Sequence, residues 1–126
     1  ADAVGRVEVM KANHHGCWDA NNDYILEKLS PLSIILTVWR TTQPTGGIAK
    51  YFSPKVNGGE ADLFITHLEP ETREKLGEDM SKVSSSEDAH LVVRVNPGGK
   101  SYYIYLLDVN NDSMKVTKVF GPYHSH

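Results

Sequence analysis

The apolar positions of the chain change their spacing from one segment to the next. Val7, Val9 and Met10 alternate imperfectly, which predicts a short strand buried on both faces and ending near Asn13. Ile25, Leu26 and Leu29 share one face of a predicted helix. Asn21, Asn22 or Asp23 is placed to cap that helix, and Ser30-Pro31 to stop it. Residues 32–39 form the most apolar run. They are β-branched in part (Ile34, Ile35, Thr37, Val38) and predict a central strand. Strand, loop, helix and strand within about 33 residues is the spacing of a βαβ unit, so parallel strands and a right-handed crossover are expected.

The middle of the chain is less regular. Residues 41–47 read as a loop, and 48–52 as a helical turn cut off by Ser53-Pro54. Gly58-Gly59 marks a turn, and 61–66 is a short strand carrying Leu63, Phe64 and Ile65. Pro70 suits the first position of a helix that runs to about Met80, and Ser84-Ser85-Ser86 reads as a loop. Three strands then follow at 91–95, 102–107 and 114–120. They are joined by Asn96-Pro97-Gly98-Gly99 and by Asn110-Asn111-Asp112, both strong turn signals. The pattern predicts an α/β fold in one domain over 1–126. Its α/β part covers 1–80, and an antiparallel three-stranded meander covers 88–123.

Composition narrows the function classes. With 126 residues, 40% hydrophobic and 23% charged, the chain has enough apolar surface for one real core, which argues against disorder. A net charge of -3 without a basic face argues against a general nucleic-acid binder. No apolar run approaches the roughly 20 residues of a membrane helix. No signal-peptide pattern opens the chain, and its compartment, bacterial cytoplasm or outside it, stays open. The single cysteine, Cys17, excludes an internal disulfide and a Cys-rich zinc finger.

The sharpest chemical feature is His14-His15-Gly16, directly after a predicted buried strand and before a helix. Ligands gather at the carboxyl ends of such strands. Imidazole is a common zinc ligand, and Gly lets backbone approach closely. The surrounding residues, Val9-Met10-Lys11-Ala12-Asn13-His14-His15-Gly16 with the capped helix and Pro31-Leu32-Ser33-Ile34-Ile35, resemble the metallo-β-lactamase fold. The nearest branch is the one related to the hydrolase domain of ComEC-type competence proteins. Later segments resemble it too: 61–66, His90-Leu91-Val92-Val93-Arg94-Val95-Asn96-Pro97-Gly98-Gly99, and Val119-Phe120-Gly121-Pro122-Tyr123.

The resemblance implies a zinc-dependent hydrolase of four-layer αββα architecture, in which one or two zinc ions activate water against an ester, phosphoester or amide. It assigns a metal-ligand role to His14 or His15 without choosing between them. The other imidazole would support the ligand or face the substrate, with Asn13, Gly16, Cys17, Asp19 and Gln43 around them. The family's H-x-H-x-D-H motif and its G-D segment, both N-terminal to HHG, are absent from this chain. The expectation is therefore the C-terminal half of the sandwich. The site would be incomplete and inactive alone, with the N-terminal half as its missing partner. The family's histidine-proline pair after the second strand is replaced by Thr42-Gln43-Pro44.

Other candidates have plainer readings beside the chemical one. Cys17 is a soft ligand, an oxidisable thiol or, preferred, a partly buried free cysteine. Asp19 orients a histidine or caps the amides of Asn21 and Asn22. Trp18 is a substrate wall or, more commonly for such a residue, packed on the core. His67 faces the pocket or, preferred, is a surface or capping residue. His90 is structural, and His124 and His126 lie in a mobile tail. Asp108-Val109-Asn110-Asn111-Asp112 has the D-x-N-x-D spacing of a calcium loop but lacks its Gly and Glu, and reads as a hairpin turn. Glu69, Glu71, Glu74, Glu78 and Asp79 make a solvated helix face. Tyr102, Tyr103 and Tyr105 divide between core and solvent. The competing function is a binding or assembly module, with self-association into a homo-oligomer through an exposed sheet edge and HHG as a relic. Nucleic-acid handling follows only from the family analogy and has no support in the charge balance.

Overall fold

The computed structural model describes all residues, 1–126. The chain is of the α/β class and divides into two compact units, Ala1–Glu87 and Asp88–His126. The first unit holds a four-stranded parallel sheet in the order β1 (Val9–Lys11), β2 (Ser33–Leu36), β3 (Asp62–Ile65), β4 (Val83–Ser85). Met10 pairs with Ile34, which pairs with Leu63, so the three leading strands are level at their centres. Every residue of β2 is buried, as expected for an inner strand of a parallel sheet.

Helix α1 (Asp23–Leu29) links β1 to β2 and completes the predicted βαβ unit. Of the three candidate caps the fold uses Asn22, whose side chain accepts from the Ile25 amide at 2.9 Å. Leu26 is fully buried, and Ile25 and Leu29 pack beside it. Helix α2 (Pro70–Leu76) starts at the predicted proline but stops before Met80. Gly77 takes φ +56°, a left-handed angle, and residues 77–82 continue as a tighter 3₁₀ turn. The expected loop at 84–86 is a second correction. Val83 pairs with Leu63 and Ser85 with Phe64, so a polar serine segment serves as edge strand β4, where main-chain pairing needs no apolar side chains.

The core of this unit is continuous. Met10, Leu26, Ile34, Leu36, Val38, Leu63 and Ile65 meet Ile48, Tyr51 and Val56, which come from the irregular middle of the chain. The 3₁₀ turn Ala49–Phe52 therefore contributes a fully buried tyrosine to the core.

The second unit is the predicted meander: β5 (Ala89–Val95), β6 (Ser101–Asp108) and β7 (Val116–His124), antiparallel in that order. Its first turn is closed by Asn96 N donating to Ser101 O at 2.9 Å, with Gly98 and Gly99 at positive φ. In the second turn the Asp108 carboxylate accepts from the Asn110 amide and from Asn111 Nδ2, both at 2.8 Å. Its oxygens serve the turn itself, as the hairpin reading expects. Tyr102, Ile104 and Leu106 are buried on one face of β6, whereas Tyr103 and Tyr105 are half-buried. His124 is the last residue of β7, paired with Ser101, and not part of a free tail.

Candidate functional site

Residues that follow β1, β2 and β3 meet at the carboxyl end of the parallel sheet. HHG follows β1. Its backbone turns sharply: His14 (φ 45°, ψ 49°), His15 (φ 54°, ψ 23°) and Gly16 (φ 79°) are three successive left-handed residues. For an L-residue this conformation costs about 1–2 kcal/mol. Gly16 accepts it freely and is also needed for space. A Cβ there would sit 2.6 Å from Leu36 Cδ2 and 2.8 Å from its Cγ.

Three side chains clamp the loop from outside. Asn21, 3% exposed, accepts from the Asn13 amide at 2.8 Å and donates to the Asn13 carbonyl at 2.9 Å. Both main-chain groups at the mouth of the loop are thereby satisfied by one amide. The Tyr51 hydroxyl donates to Gly16 O at 3.2 Å and accepts from Asn21 Nδ2 at 3.4 Å. Burial pushes the Tyr51 phenol well above its ordinary value, because the phenolate would lose its water. Lys50 donates to the carbonyls of Ala20 (2.8 Å) and Cys17 (3.4 Å), and burial lowers its pKa.

The two imidazoles are tied down alike. His14 Nδ1 lies 2.7 Å from each oxygen of the Asp19 carboxylate. His15 Nδ1 lies 2.5 Å from the main-chain oxygen of Thr37, just after β2. A carbonyl oxygen only accepts, so His15 must carry its proton on Nδ1. The neutral ring then presents a bare lone pair on Nε2. An ionised Asp19 imposes the same tautomer on His14. The two ring centroids are 6.1 Å apart. The ring of Trp39 meets His15 edge-on at 6.4 Å, and the Arg40 guanidinium lies 4.2 Å from the Trp39 ring centre.

The remaining predicted residues take varied places. Asp19 orients His14 and does not cap the helix. Trp18 is 74% exposed, contrary to the packed reading. Its Cβ crowds Gly46, where a side chain would collide at 2.6 Å, so only the loop of Gly46 covers its base and the ring is left in solvent. Cys17 is buried at 5% exposure, in keeping with the plainer reading. Gln43 is buried and accepts from the Trp39 amide at 3.3 Å, closing the turn after β2 and not approaching an imidazole. His67 Nε2 pairs with Glu69 Oε1 at 3.0 Å, and His90 is exposed on β5. Sequence reasoning missed Lys50, Tyr51 and Thr66 and gave Asn21 only a capping role. The one available signal was the Asn21-Asn22-Asp23 run, which holds more polar residues than one cap requires.

As a metal-binding arrangement the site is partial. Two imidazoles are present, one backed by a carboxylate and one by a carbonyl, supports of the kind also found behind metal-ligating histidines. No group of three or more His, Cys, Asp and Glu side chains is placed to hold a metal ion. No helix is long and apolar enough to cross a membrane. Compared with known proteins, the chain matches no family model, no curated protein and no solved structure.

Proposed function

We propose that the chain forms part of a zinc-dependent hydrolase site of metallo-β-lactamase type, and that His14 and His15 are its contribution to metal binding. The observation that carries this reading is the common state of the two imidazoles. Each commits Nδ1 to a fixed acceptor beside the end of a buried sheet, so that in the neutral ring Nε2 is the nitrogen left to a ligand. Two successive left-handed non-glycine residues hold the rings in place, a backbone strain of the kind that collects at functional sites. His14 and His15 would hold the ion through Nε2, and a zinc ion so held supplies a water acidified towards neutral pH as nucleophile. Asp19 keeps the His14 proton on Nδ1, and the Thr37 carbonyl does the same for His15. Trp39 flanks His15, Arg40 lies against the Trp39 ring, and the two would border the substrate. A catalytic zinc needs about three protein ligands, so the remaining ligands would come from a further segment, the N-terminal half of the fold.

The test is metal content and turnover of the longer protein carrying both halves, with and without His14→Ala/His15→Ala. Loss of zinc and of hydrolysis in the double variant is expected. Unchanged metal content and turnover would discard the proposal.

The alternative, a binding or assembly module without catalysis, is favoured by one feature of the meander. Val92, Val116 and Val119 are exposed on its strands, and Val92, Tyr105, Leu107 and Val116, with Arg94 beside them, line one shallow, mostly apolar face. Concentration-dependent sedimentation that Val92→Lys abolishes would speak for it.

A further inference from the structure

We propose that Thr66 is the positioning residue that sets the orientation and proton of His15, acting through the peptide between Thr37 and Val38. This deepens the reading of His15 as an Nε2 ligand and rests on it for its functional meaning.

The parallel ladder between β2 and β3 ends with the Thr66 amide donating to Leu36 O at 3.1 Å. Beyond that point the Thr66 side chain takes over from the main chain. Its Oγ1 accepts from the Val38 amide at 3.0 Å and donates to the Val38 carbonyl at 3.2 Å. One hydroxyl, held from both sides, therefore fixes the residue after Thr37. The Val38 N–H and the Thr37 C=O belong to the same peptide, which is planar, so fixing the direction of one fixes the direction of the other. That C=O is the acceptor of His15 Nδ1. A hydrogen bond at the N–H end of a peptide also polarises its carbonyl and strengthens it as an acceptor. The chain of contacts runs from β3 through the end of β2 to the loop after β1, crossing the carboxyl edge of the sheet. His14 has no part in it, because its partner is Asp19.

The experiment reads the imidazole nitrogens of the ¹⁵N-labelled, metal-free chain by long-range ¹H–¹⁵N correlation, at a pH where both rings are neutral. In the wild type His15 is expected wholly as the Nδ1–H tautomer. A wild-type His15 protonated on Nε2 overturns the proposal at once. In Thr66→Val, which keeps the shape of the side chain and removes its hydroxyl, the Nδ1–H to Nε2–H ratio of His15 is expected to fall roughly tenfold, the scale of one weakened hydrogen bond. His14 should keep its state. Thr66→Ser restores the hydroxyl and should restore the wild-type ratio. If the valine variant does not fold, Thr66→Ala leaves room for water and is read in the same way. An unchanged His15 ratio, or an equal change at both histidines, overturns the proposal. A shifted His15 tautomer with no effect of His14→Ala/His15→Ala on metal content would discard the zinc reading and leave the role of Thr66 standing.

Discussion

Gly16 has little freedom to change. Gly16→Ala places a methyl group 2.6 Å from Leu36 Cδ2 and holds an L-residue at φ 79°. Overpacking and left-handed strain together predict a loss of about 2–4 kcal/mol in urea unfolding. Asn21→Ala leaves the Asn13 amide and carbonyl without their partner, and about 1–3 kcal/mol of destabilisation is expected. Tyr51 gives a pH signature whose sign follows from its raised pKa. The unfolded phenol ionises at its ordinary value of 10.0, while the folded one keeps its proton. Above that pH the unfolded state binds fewer protons, so stability falls as pH rises towards the folded pKa. Chemical denaturation across this range should show the fall in the wild type and less of it in Tyr51→Phe. An identical slope in both proteins would locate the effect elsewhere. The close approach at Gly16 was legible in the sequence; the roles of Asn21 and Tyr51 were not. A tyrosine in a short apolar turn carries no mark of the loop it holds 35 residues away, nor an asparagine beside another asparagine of the strand end it closes 8 residues back.

At the scale of elements, the predicted order of strands and helices agrees with the fold wherever local signals are strong. Asn22 caps α1, and Asn22→Ala should cost about 1 kcal/mol, measurable by thermal or chemical unfolding. Ser30-Pro31 ends that helix as expected, with Ser30 in the left-handed conformation. The two corrections have opposite causes. The helix from Pro70 stops at Leu76 because a glycine adopts a left-handed angle that sequence spacing alone does not demand. Val83–Ser85 becomes a strand because β3 offers it an edge, which overrides the weak strand propensity of serine.

The two sheets differ in how their strands are covered, and this sets where the molecule opens first. Ile34, Leu36, Leu63 and Ile65 lie fully buried in β2 and β3, whereas residues 116–119 of β7 are exposed. Hydrogen exchange should therefore be slowest at the amides of β2 and β3, and fast and local along the first half of β7. Uniform protection across both sheets would contradict this. Hydrophobic periodicity and turn residues act over a few neighbours, and they were enough to read the α/β class, the parallel βαβ front and the antiparallel meander from the chain alone. The sequence also singled out His14 and His15 as the residues of chemical interest. Which nitrogen of each ring meets an acceptor is a matter of contacts made in the folded chain. That choice depends on Asp19, on a carbonyl at the end of β2, and on a threonine at the end of β3. Hydrogen-bond partners separated by 22 and 28 positions in the chain leave no local pattern by which to find them.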